Sequence, residues 1–119
     1  MVTTSPPSLM VKTDKTEYSI GEEVRVSIYL VNILDREVIL RSRSYGLSIA
    51  SSEGVVLTYV LFETRASPVD IPSSTSCLID EWVWNQKDAH RNQVDVGSYT
   101  IHVNLLDIEY MGGCVIEIK

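Results

Sequence analysis

Val94-Asp95-Val96-Gly97-Ser98-Tyr99-Thr100-Ile101-His102-Val103-Asn104-Leu105-Leu106 decides how the rest of the chain is read. After Gly97 the apolar side chains fall on every second position (Tyr99, Ile101, Val103, Leu105), with Ser98, Thr100, His102 and Asn104 between them. A period of two puts one set in a core and the other in water, so this is a strand with one buried face. Asp95-x-Gly97-x-Tyr99 ahead of it predicts a tight corner. Gly97 gives the backbone its freedom, the Tyr99 ring turns into the core, and the hydroxyl finds a backbone group nearby.

Outward from there the chain reads as more strands of the same kind. Leu9–Thr13 is a short first strand, and Gly21 turns the chain into Glu23–Asn32, where Val24, Val26, Ile28 and Leu30 share one face. Glu37–Ser42 and Leu47–Ser51 follow. Ser52-Glu53-Gly54 makes a hairpin turn, and Val55–Phe62 returns, apolar on both faces except for Thr58. Such a strand is expected to be central to its sheet or covered on its outer side. Cys77–Trp84 has conflicting faces, since Leu78, Trp82 and Trp84 share a side with Asp80 while Ile79 and Val83 share one with Glu81. A bulge, or a tryptophan packed on the outer face, resolves the conflict. Cys114–Ile118 closes the series. The long stretches 63–73 and 85–94 are loops, Pro68 and Pro72 barring a central strand from the first. Seven to eight short strands with no helical period predict an antiparallel β-sandwich. Residues 1–8 are expected to be a flexible lead-in and 9–119 a single domain. The Asp95–Tyr99 corner has the form of the tyrosine corner in immunoglobulin-like sandwiches.

Composition narrows the partners. Ten basic and sixteen acidic residues give a net charge of -6, which repels a phosphate backbone or an anionic membrane. No apolar run is long enough to cross a bilayer as a helix. No basic start with an apolar stretch marks a secretory leader, so the expectation is a cytoplasmic protein, or an extracytoplasmic one if this chain is a piece of a longer one. Cys77 and Cys114 read either as two separate thiols or as one bridge.

Chemistry is sparse. His90 and His102 stand apart, and neither they nor the cysteines have ligand spacing, so no metal and no cofactor is expected. No strand–turn–helix elbow presents a nucleophile, and no pair of loops marks a groove flanked by carboxylates, so no enzyme is expected. Asp88, His90 and Arg91 in the polar loop are candidate contacts, with Asp88 and His90 near enough for a weak pH-sensitive pairing. Trp84, Gly97 and Tyr99 read as structural. A carbohydrate-binding role requires Trp82 or Trp84 on an exposed face.

Two blocks together resemble the intracellular proteinase inhibitor family of Bacillus, the BsuPI-type immunoglobulin-like domains. The first is Val38-Ile-Leu-Arg-Ser-Arg-Ser-Tyr-Gly-Leu-Ser-Ile-Ala-Ser-Ser-Glu-Gly-Val-Val-Leu-Thr-Tyr59. The second is Trp84-Asn-Gln-Lys-Asp88 followed by Val96-Gly-Ser-Tyr-Thr-Ile101. The likeness spans residues 17–106. It departs from the family pattern where Val96 replaces a proline before Gly97, where the loop after Trp84 lacks a glycine, and in the loop 62–73. The opening Thr13–Val24 is also similar to the start of many extracellular immunoglobulin-like modules, macroglobulin domains among them. The resemblance implies a non-catalytic module that binds another protein, a protease, and inhibits it through docked loops. On that reading Glu63–Asp70 is the candidate reactive loop, with Arg65, Ala66 and Ser67 at its centre. A general interaction domain, or a homodimer paired through an edge strand, is the other expectation.

Overall fold

In the computed structural model, which describes residues 8–62, 68–106 and 110–119, ten strands follow one another. They are β1 (Ser8–Thr13), β2 (Glu17–Tyr18), β3 (Val24–Asn32), β4 (Val38–Leu40) and β5 (Tyr45–Ser51), then β6 (Gly54–Leu61), β7 (Val69–Ile71), β8 (Thr75–Trp84), β9 (Gly97–Leu105) and β10 (Met111–Ile118). One sheet has the order β1-β3-β8, a second β2-β10-β9-β5-β6, and β4 and β7 form a small ribbon. All pairings are antiparallel except β2 with β10. Among the described residues there is no helix. This is the expected all-β immunoglobulin-like sandwich.

The alternation seen in the sequence becomes the core. β3 presents Val24, Val26, Ile28 and Leu30 inward, each fully buried. They meet Tyr45, Leu47 and Ile49 from β5, Tyr99, Ile101, Val103 and Leu105 from β9, and Ile116 and Ile118 from β10. Each such side chain contributes about 1.5–3 kcal/mol as an upper estimate.

Four expectations are revised. The first strand begins at Ser8, inside the expected lead-in. Ten strands replace seven or eight, because β2 and β7 hold only two and three residues and carry no period of their own. β6 is neither central nor covered: it ends its sheet, and Val55, Val60 and Phe62 lie exposed. β7 lies within the stretch taken as a loop, and between Pro68 and Pro72 it pairs with β4 alone.

The conflict in β8 is resolved by a bulge. Ile28 pairs with Asp80 and Tyr29 with Leu78, so Ile79 is the extra residue. The shift turns Trp84, Trp82 and Asp80 toward one side with Cys77 while Leu78 points out, and Ile79 stays buried. Cys77 and Cys114 are free, half-buried thiols. Burial pushes the Cys114 thiol up from its usual range.

Candidate functional site

The corner behaves as its residues require. Gly97 has φ +149°, and the Tyr99 hydroxyl donates to the Asp95 carbonyl at 2.6 Å. Burial, with the charges of Asp95 and Glu53 added, pushes the Tyr99 phenol up. Trp84 is 1% exposed, donates through Nε1 to the Lys87 carbonyl at 2.9 Å, and meets Tyr99 edge-on at 5.7 Å. Trp82 is half-buried and stacked 5.5 Å from Tyr59. Trp84, buried on all sides, offers no platform for a sugar ring.

Sequence reasoning missed the residue that holds the 85–94 loop. Gln86 is completely buried, with φ +62°. Its Nε2 donates to the Ser19 and Glu22 carbonyls, both at 2.9 Å. Its Oε1 accepts from the Gly21 N–H at 3.2 Å and from Gln93 Nε2 at 2.9 Å. One amide thus ties the turn before β3 to the loop before β9. Asn32 does likewise at the far end of β3, donating to the Arg36, Ile71 and Pro72 carbonyls. Gln86 lies in a polar loop with no period to betray it, whereas Asn32 is the last inward position of the β3 alternation, a polar residue where the period calls for an apolar one.

Of the candidate contacts, Arg65, Ala66 and Ser67 lie outside the described residues. Asp88 accepts from the backbone N–H of His90 at 2.8 Å and of Asn92 at 2.9 Å. The Asn92 bond above all, then the His90 bond and the nearby His90 charge, hold its carboxyl below the usual carboxylate range. The Asp88–His90 link is therefore made to the backbone rather than to the imidazole. His90 and Arg91 are exposed at the tip, and the loop is pinned to β6 where the Ala89 N–H donates to the Val56 carbonyl at 3.0 Å. A cavity of about 290 Å³ opens between this loop and the β5–β6 turn. Asp88 lines it with Glu53, Asp95 and Tyr99, whereas His90 and Arg91 do not. Among the described residues no group of three His, Cys, Asp or Glu is placed to hold a metal.

The distinctive surface is the outer face of the five-stranded sheet. Its strands β5, β6, β9 and β10 carry one charged residue between them, Glu117, in a chain with ten basic and sixteen acidic residues. Register places three rows across it. Val60, Gly46, Asn104 and Met111 form one, Thr58, Ser48, His102 and Gly113 the next, and Val55, Ala50, Thr100 and Val115 the third. Val55, Val60, Phe62, Met111 and Val115 are 49–73% exposed along its two sides. The strand β5 between them carries only glycine, serine and alanine outward. Exposed sheet faces ordinarily carry charges that keep them apart from other chains, and the three rows of this one carry no Asp, Glu, Lys or Arg.

No protein-family model matches the chain, and no curated protein does. Solved structures do share the fold. The chain is similar to part of the Pseudomonas fluorescens alkylpurine DNA glycosylase AlkC, solved with DNA containing an abasic site analog (14% identity, TM-score 0.58, 97% of this chain and 31% of that one). It is also similar to part of a Paenibacillus cycloisomaltooligosaccharide glucanotransferase complexed with cycloisomaltoheptaose (18%, 0.62, 98% and 14%). A third is the Bacillus subtilis sporulation control protein Spo0M (10%, 0.62, 98% and 50%). The chain spans between 14% and 50% of the length of these proteins, and at such identities the likeness establishes the sandwich fold alone.

Proposed function

We propose that the chain is a non-catalytic protein-binding module whose partner covers the outer face of the five-stranded sheet. The observation that carries this reading is the near absence of charge from β5, β6, β9 and β10 beside exposed Val55, Val60 and Phe62. The polar groups that a chemical site would draw on are bound instead into the frame: Asp88 to its own loop, Gln86 between two turns, Tyr99 to its corner.

The resemblance to BsuPI-type domains names a protease as the partner and inhibition as the consequence. The candidate loop, Glu63–Asp70, follows directly in sequence on the exposed Phe62 at the end of β6. Titration against a subtilisin-like and a trypsin-like protease tests it. Loss of protease activity at micromolar protein, with the domain left uncleaved, is expected, and Val60→Asp with Phe62→Asp is expected to weaken it. Full protease activity throughout removes the protease as partner, and equal potency of the double variant removes the face.

A further inference from the structure

We infer that the outer face of the five-stranded sheet docks a second copy of this chain, face to face, about a two-fold axis running along the strands between β5 and β9. The inference rests on the reading of that face as a protein-binding surface and names its occupant.

Three observations point to a copy. The first is charge. The molecule carries -6 overall, and a second copy meets least repulsion where its own ionised groups are absent. In the five strands of this sheet the charged residues are Glu17, paired with Lys119, and Glu117, side by side at one end, which leaves the three rows nothing with which to steer or select a charged partner.

The second is relief. An axis along the strands lays β9 over the partner's β5 and β10 over the partner's β6, so each row meets its own reverse. Thr100 then faces the partner's Ala50, His102 the partner's Ser48, and Asn104 the partner's Gly46, a larger side chain over a smaller one each time. At the rims Met111 faces the partner's Val60 and Val115 the partner's Val55, apolar on apolar. A single chain is thereby complementary to itself, as a two-fold interface demands.

The third is size. Four strands about 4.8 Å apart and seven to nine residues long make a face of roughly 19 by 27 Å. That is about 500 Å² on each partner and about 1,000 Å² in total, the lower bound of a specific interface.

Pairing through the free edge of β6 is the weaker geometry. Register slips between Ile49 and Ala50, leaving Val56 as a bulge, and the Val56 carbonyl already accepts the Ala89 N–H. A bulged, partly capped edge does not continue a ladder.

Sedimentation equilibrium of the protein and two variants tests the inference. The wild type is expected to be a dimer at micromolar protein. Ser48→Arg puts a charge at the centre of the face, where the wild-type side chain is only half-buried, and is expected to raise the dimer dissociation constant at least about tenfold. Val115→Glu at the rim is expected to do the same should the first variant fold poorly. Leu78→Arg, on the opposite sheet, is expected to leave the dimer unchanged. A wild type that stays monomeric to sub-millimolar protein overturns the inference, and so does a dimer that survives both face variants. Repeating the protease titration with Ser48→Arg separates the two readings. Weakened inhibition from a wild type that is itself monomeric retains the face as a binding surface and removes the second copy.

Discussion

Tyr99 and Trp84 carry the seam between the polar loop and the core, and their worth is measurable. Tyr99→Phe keeps the ring and deletes one bond to the Asp95 carbonyl, for an expected loss of about 1 kcal/mol in chemical denaturation. An unchanged midpoint would show that the hydroxyl contributes nothing. Trp84→Ala removes a side chain that is 1% exposed and is expected to cost about 3–5 kcal/mol. The place of Tyr99 was legible from the corner spacing and the period of β9, whereas that of Trp84 was not fixed by a period, since the faces of Cys77–Trp84 conflict until the bulge at Ile79 is seen. Gln86 was not legible: an amide in a polar loop looks the same whether it faces water or four backbone and side-chain partners. Only the folded chain brings Ser19, Gly21 and Glu22 to it, across more than sixty residues.

At the scale of the element, what the sequence showed depended on length. β3 and β9 are nine residues each, long enough for alternation to name every inward side chain. β2 and β7 are too short for any period. β6 misled for a different reason: an apolar outer face was taken as a sign of burial within the domain, whereas β6 lies at the edge of an open surface with little charge. The β8 bulge was foreseen as one of two resolutions, since faces that contradict each other within a strand require an inserted residue or an outward ring. Close approach between elements leaves its own mark at Gly112, where an added Cβ would lie 2.3 Å from the Leu9 carbonyl oxygen of β1. Backbone cannot yield as a side chain can. Gly112→Ala is therefore expected to cost about 1–3 kcal/mol, read by thermal or chemical denaturation. Wild-type stability in that variant would mean that β1 does not lie against β10.

For the whole molecule, acid is the condition that loosens the frame. The carboxyl of Asp14 is held below its ordinary value chiefly by the Tyr18 hydroxyl, that of Glu22 by Lys15, and that of Asp88 by the Asn92 N–H. A carboxyl whose pKa is depressed by folding stabilises the fold above its unfolded value and stops doing so as the pH drops through its folded one. The thermal midpoint is thus expected to hold from neutrality to about pH 4 and to fall below it, less steeply in Asp14→Asn. A midpoint that rises on acidification would contradict this. At the alkaline end the sign reverses. Tyr18, its phenol pushed up to about 12 by burial and then by Asp14, favours the fold below about pH 10 and loses that contribution on the way to 12. Phenolate absorbance of the native protein is expected to lag behind that of the denatured chain over this range.

The parallel pairing of β2 with β10 has a mechanical consequence. The Glu117 N–H donates to the Thr16 carbonyl and the Lys119 N–H to the Tyr18 carbonyl, with Lys119 also bonded to Glu17 at 2.8 Å. Strands that run the same way, pulled from opposite ends, load all their bonds at once in shear, whereas a hairpin opens them one after another. Tension drawn between Glu17 and Lys119 therefore loads both of these backbone bonds together rather than in turn.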